Sequence, residues 1–196
     1  MSSTYYDRSY FYGRRKSNYD NYAKTKSIFY DFGKILYREF HPASAFDAGG
    51  AFGYLVHGLR RRGVESWGID ISPYAVRHSP FMQLGDITKL KPGRTYDLVT
   101  CTDVLEHIPE ELVEQTLDGL YLLAGKYLVL VIALAEHSAD DLDRTHVCIK
   151  PYAWWEELFR RLGYHRCAES EQRLRKSRLC RKNMWSEKLF VLEKGT

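Results

Sequence analysis

Asp47-Ala48-Gly49-Gly50-Ala51-Phe52-Gly53 places one acid and three glycines within seven residues, just ahead of an apolar helical pattern. Glycine permits positive φ and lets the backbone approach a ligand, and a helix opening there offers unpaired amides to an anionic group. A ligand-free strand–helix turn has the same composition, so the segment gains meaning only from residues further along the chain. Asp70 comes roughly 20 residues later, at the end of a second apolar run. Gly85-Asp86-Ile87 comes after a third. Each acid alone reads equally well as a solvated loop residue. Three acids after three successive strand-like runs point to one ligand rich in hydrogen-bond donors.

Two nucleotide-type cofactors compete for this pattern. A dinucleotide fingerprint needs glycine where Ala48 stands, and Asp47 would set a carboxylate against a pyrophosphate. A cationic ligand bearing an amino group suits Asp47 better. That points to S-adenosylmethionine, with its ammonium and its sulfonium. On this reading Asp70 accepts from both ribose hydroxyls, Asp86 accepts from the adenine amino group, and Ile87 packs on the ring.

These residues need a scaffold that gathers strand ends. Residues 44–48, 64–69, 81–84, 96–100 and 126–134 read as strands, and residues 18–40, 51–62, 109–123 and 151–162 as helices. His41-Pro42 stops the first helix, and Ser72-Pro73 is a helix start. Alternation of this kind predicts an α/β fold with a doubly wound, mostly parallel sheet and ligands at the carboxyl ends of its strands. The most apolar run, 126–134, is expected in the centre of the sheet, buried on both faces. Residues 164–168 and 188–192 read as the last two strands, with the basic stretch 173–182 between them as a solvated hairpin extension.

Through DAGGAFG (47–53), WGIDIS (67–72), GDI (85–87) and YDLVTCTDVLEHIP (96–109), residues 45–192 resemble the class I S-adenosylmethionine-dependent methyltransferases of small-molecule type. The resemblance implies a Rossmann-like sheet of seven strands whose final strand runs antiparallel between its neighbours. It also implies a tyrosine-rich N-terminal lid segment and helix (1–41) over a cofactor-binding domain (42–196). The implied cofactor contacts are Asp47, Gly49, Gly50, Gly53 and Asp70, then Ile71, Asp86, Ile87, Cys101 and Thr102. Ala51 stands where the family often has glycine; alanine is accommodated there if its φ is negative.

Methyl transfer is an in-line displacement, so the protein must align the acceptor, exclude water and, for a hydroxyl, remove a proton. His107, in Leu105-Glu106-His107, and His146, in Asp143-Arg144-Thr145-His146, are the candidate bases. Asp103 is a candidate for the acceptor pocket. Tyr12, Tyr19 and Tyr22 are candidates to reach the methionyl carboxylate or the acceptor from the lid. Phe29, Phe32, Leu36, Phe40 and Trp154-Trp155 read as packing. The Asn/Asp-Pro-Pro-Tyr motif of amine-directed methylases is absent from 101–104, which argues against that nucleic-acid chemistry. Residues 136–146 concentrate oxygen and imidazole groups, but their spacing matches no fixed ligand pattern, so no metal is assigned.

Composition sets the outer limits. A chain of 196 residues, 44% hydrophobic and 28% charged, suits one folded domain and excludes disorder throughout. The longest apolar stretch, 127–135, is far below the ~20 residues of a membrane-spanning helix. Cys101, Cys148, Cys167 and Cys180 form no CxxC pair and the N-terminus lacks a signal-peptide core, so a cytoplasmic protein with reduced thiols is expected. Eight of the 15 tyrosines fall in the first 40 residues. Net charge is +4 over residues 1–40, +6 over 173–184 and −6 between them. The resulting expectation is O-methylation of a small-molecule hydroxyl, on a sugar or secondary metabolite, with an anionic acceptor as one reading of the basic segment beside the solvated one. RNA methylation through residues 173–184 is the alternative.

Overall fold

The computed structural model describes residues 5–13, 17, 19–91, 93–137 and 143–195. Strands β1 (Ser44–Ala48), β2 (Glu65–Asp70), β3 (Met82–Leu84), β4 (Tyr96–Thr102), β5 (Ala124–Val131), β6 (His165–Arg166) and β7 (Leu189–Glu193) form one sheet. Their order is β3-β2-β1-β4-β5-β7-β6. The pairs among β1 to β5 are parallel, and β7 is antiparallel to both neighbours. Chain order therefore reverses between β1 and β4, and such a switch point opens a crevice at the carboxyl ends of the strands.

Helices α1 (Arg8–Phe11), α2 (Lys26–Phe40), α3 (Tyr54–Arg60), α4 (Glu110–Leu123), α5 (Tyr152–Arg161), α6 (Ala168–Arg175) and α7 (Arg178–Lys182) complete the described elements. Strand periodicity divides the core. Leu128 and Leu130 of β5 face Val113 and Leu117 of α4 and Trp155 of α5. Val129 and Val131 face the layer of Phe32 and Leu36 on α2, Leu55 and Leu59 on α3, and Leu174 on α6. A third cluster, of Tyr10, Phe11, Tyr22, Ala51, Phe52 and Ala75, joins the N-terminal segment to the glycine turn.

Several elements differ from the sequence expectation, each for a local reason. Tyr22–Thr25 forms a 3₁₀ turn that leads directly into α2, with the Asn21 side chain accepting the Ala23 N–H, while residues 19–21 are not helical and residue 18 lies outside the described residues. His41 takes φ 43°, and Pro42 prevents any continuation of α2. The Ser72-Pro73 start yields only the short turn Ala75–His78, because Ser79-Pro80 closes it at once. The most apolar strand, β5, lies between β4 and β7, leaving β4 as the middle strand of seven. The basic stretch is helical, in α6 and α7, and not a hairpin extension. Two of its cations are engaged internally: Arg173 pairs with Glu39, and the Arg175 guanidinium donates to the Leu189 carbonyl at 2.7 Å.

Ala51 has φ 47°, against the expected negative value. A left-handed L-residue costs roughly 1–2 kcal/mol, and glycine relieves that cost while adding freedom to the unfolded chain. Ala51→Gly is expected to stabilise the protein by about 0.5–1 kcal/mol, a rise of roughly 1–4 °C in melting temperature. Thermal unfolding of the two proteins side by side checks this.

Candidate active site

The crevice at the switch point holds a cavity of about 230 Å³, walled by the strand ends on one side and the N-terminal aromatic segment on the other. Register sets its floor. Asp47 on β1 is opposite Thr100 on β4, whose hydroxyl donates to Asp47 Oδ1 at 2.7 Å. The turn after β1 needs glycine for two separate reasons. Gly49 has φ 77°, and a Cβ there would sit 2.5 Å from a Val104 methyl. A Cβ on Gly50 would stand 2.6 Å from Asp47 Oδ2, filling the space beside the carboxylate.

Asp70, the last residue of β2, ties that strand to the turn. Its Oδ2 accepts the Ala51 N–H and its Oδ1 the Ser72 N–H, both at 2.8 Å. Each oxygen keeps a second lone pair for a ligand. Asp86 caps a short turn by accepting from the Thr88 amide and hydroxyl, and it pairs with Lys89 at 3.3 Å. These contacts hold its carboxyl below the usual range. Asp47 and Asp70 behave oppositely: burial pushes them up to about 7 and about 6. They are 5% and 8% exposed and form no ion pair with a described cation. Desolvation likewise pushes Asp103 up to about 6.

Asp47, Gly49, Gly50, Asp70 and Ile71 line the cavity on the β1–β2 side. Asp86, Ile87, Thr102, Asp103 and His107 complete the wall, with Tyr19 and Tyr22 across from them. Four expected site residues do not line it. Gly53 serves as the left-handed N-cap of α3, with φ 72°. Cys101 is fully buried inside β4, because alternation along the strand gives the cavity wall to Thr102. Tyr12 is half-buried against the aromatic cluster of the N-terminal segment, with the Arg8 guanidinium 5.1 Å from its ring. His146 packs edge-on against His107 with centroids 4.6 Å apart, beside the wall and not in it.

Tyr6 and Tyr10 line the cavity where Tyr12 was expected. Tyr6 precedes the Asp7 cap of α1 and only Tyr10 lies in that helix, so no helical spacing in the sequence marks the pair. The Tyr10 hydroxyl donates to Asp143 Oδ2 at 2.8 Å, and the Ser72 hydroxyl donates to the Tyr6 carbonyl. The N-terminal segment is thus tied both to the end of β2 and to the loop after β5. That loop carries a second device. Thr145 Oγ1 donates to Asp143 Oδ1 at 2.6 Å and lies 2.7 Å from His107 Nδ1. With its only proton directed at Asp143, the threonine accepts from Nδ1–H, which leaves the His107 lone pair on Nε2.

A seven-stranded sheet of this order, with acids at successive strand ends around a switch-point cavity, defines the class I S-adenosylmethionine-dependent methyltransferases. The methyltransferase-domain family matches residues 27–176, and the chain belongs to it. The cavity suits that cofactor: the space beside Asp47 is kept open by Gly50, and two buried carboxylates face it without a cation among the described residues. Similar folds include magnesium protoporphyrin IX methyltransferase from Synechocystis PCC 6803, solved with bound S-adenosylmethionine. It is 20% identical, with a TM-score of 0.60, over 94% of this chain and 87% of that one. A methyltransferase from Archaeoglobus fulgidus is 16% identical, with a TM-score of 0.63, over 88% and 99%. At these identities the likeness is one of fold. No curated protein sequence matches the chain. Among the described residues, no helix is long and apolar enough to cross a membrane.

The raised carboxyls fix a pH dependence. Asp47 and Asp70 hold protons in the folded state up to about 7 and about 6, whereas unfolded aspartate releases them near its ordinary value. The folded state therefore binds more protons in between, and their contribution to stability falls as pH rises through that window. The donor-free protein is expected to melt at least about 3 °C lower at pH 7.5 than at pH 5, with Asp47→Asn reducing the drop. Melting curves across that range check it.

Proposed function

We propose that this methyltransferase acts on a hydroxyl group of a small molecule. The observation that supports this most is His107, which faces the cavity with its Nε2 lone pair set by the Asp143–Thr145 relay. A neutral imidazole of that tautomer accepts a hydroxyl proton. When bound, S-adenosylmethionine supplies a methyl group already activated on sulfur. The chain's part is to hold and enclose. Asp47 takes the donor's ammonium, Asp70 the ribose hydroxyls, and Asp86 with Ile87 the adenine.

Tyr6, Tyr10, Tyr19 and Tyr22 close the cavity from above, excluding water from the reacting groups. Thr102 Oγ1 is buried with no hydrogen-bond partner and Asp103 lies next to it, so a polar acceptor meets polar groups on this wall. At about 230 Å³ the cavity is smaller than the ~300–1,000 Å³ of typical small-molecule sites, so binding of donor and acceptor displaces the N-terminal segment. No lysine or arginine is among the described residues lining the cavity, so an anionic acceptor finds no cation in its wall. The RNA alternative rests on the basic segment, where Arg173 and Arg175 are already engaged.

Asp70→Ala is expected to weaken donor binding tenfold or more in calorimetry. His107→Gln is expected to leave donor affinity within about twofold and to slow transfer by roughly 10²–10⁴. With labelled donor and fractionated cell extract, label is expected in an alkali-stable methyl ether of the small-molecule fraction. Label in RNA, or a fully active His107→Gln, contradicts the proposal.

A further inference from the structure

Glu106, His107 and His146 come from two loops but meet beside the cavity. One carboxylate oxygen of Glu106 and one ring nitrogen of each histidine all lie within 4.8 Å of one another. Glu106 is 1% exposed. Its Oε1 accepts the Ala133 N–H at 3.3 Å, while Oε2 is buried with no hydrogen-bond partner. Leaving a buried carboxylate oxygen without a donor or cation is costly, and native interiors rarely tolerate it.

The two loops are fastened to each other at this point. The Val147 and Cys148 N–H groups both donate to the Glu106 carbonyl, at 2.9 and 3.0 Å. His146 is therefore carried on a segment anchored to Glu106 itself. His107 is oriented separately, through Nδ1 and the Thr145–Asp143 pair. A ligating imidazole characteristically has its other nitrogen held in this way by a hydrogen-bonded partner.

We infer that Glu106, His107 and His146 bind one divalent transition-metal cation at the acceptor side of the cavity. Two imidazoles and one carboxylate suit manganese, iron, cobalt or zinc, whereas calcium and magnesium favour oxygen ligands throughout. Ligand atoms sharing one ion at about 2.1 Å lie about 3 Å apart, so a turn of the imidazole rings gathers this group onto an ion. Three protein ligands leave coordination positions for an oxygen from the cavity.

The site stands on its own geometry; its consequence for catalysis rests on the hydroxyl-acceptor reading. With the ion seated, the His107 Nε2 lone pair is spent on the ion and no longer acts as the base, and the ion instead acidifies the acceptor hydroxyl. The hydroxyl proton is lost to water as the acceptor binds, before the tyrosines close over it; an oxygen lone pair then forms the new C–O bond, and the electrons of the C–S bond return to sulfur as a neutral thioether.

Titration of the chelator-treated, donor-free full chain with Co²⁺ tests this through the visible d–d absorption of the bound ion. One saturable equivalent is expected, with affinity reduced tenfold or more in both Glu106→Gln and His146→Gln. His146 is only partly buried, so its variant carries the test if Glu106→Gln fails to fold. No d–d absorption in the wild type, or wild-type titrations by the folded variants, overturns the inference. Donor calorimetry on the same wild-type sample separates the two readings. Donor binding without Co²⁺ binding removes the metal site and leaves the methyltransferase reading standing, whereas Co²⁺ binding without donor binding supports the metal site alone.

Discussion

Asp47, Asp70 and Glu106 bury carboxyl groups at or just beyond the carboxyl ends of β1, β2 and β4, without an ion pair to any described cation. Burying such groups is unfavourable, and the strain on them shows as ionisation displaced upward for all three. Much of the surrounding structure serves to hold them there. Thr100 reaches Asp47 across the β1–β4 register, and Ala51 and Ser72 offer their amides to Asp70. The glycine turn keeps the space beside Asp47 open. A fold that maximised its own stability would have no use for this arrangement. A site awaiting a cationic ligand does.

The N-terminal segment completes the enclosure. Its contribution is aromatic and local: Tyr10 and Phe11 sit edge to face at 5.3 Å, and Tyr22 meets Phe52 at 5.0 Å. Such rings bury large area at low entropic cost while keeping a hydroxyl for a partner. Tyr10 directs that hydroxyl at Asp143, which also organises Thr145 and through it His107. The N-terminal segment and the Thr145–His107 pair therefore share one carboxylate.

The strand–helix alternation and the acids at strand ends were legible because each depends on spacing along a few residues. The Asp47, Asp70 and Asp86 positions came from that pattern, and all three line the cavity. What stayed hidden depended on φ or on contacts remote in the chain. The sign of φ at Ala51 is invisible to composition. The distinction between Tyr12 and the Tyr6–Tyr10 pair depends on how a four-residue helix faces the body. Glu106 stands next to the candidate base His107 in the sequence, but its meeting with His146 requires the loop after β5 to fold back onto the loop after β4. The charge run at 173–182 misled for a related reason. Arg173 finds Glu39 from a distant helix, so the charge counted along the sequence is not all surface charge.

Proton release on donor binding tests the central role of the buried carboxylates most directly. Calorimetry at pH 6.5 in two buffers of different ionisation enthalpy measures it. A donor ammonium placed on Asp47 brings that carboxyl down from about 7, and the expected result is release of about half to one proton per donor bound. Asp47→Asn should abolish most of it. Donor binding with no net proton release would mean that Asp47 does not receive the donor's charge, and would contradict the site as described.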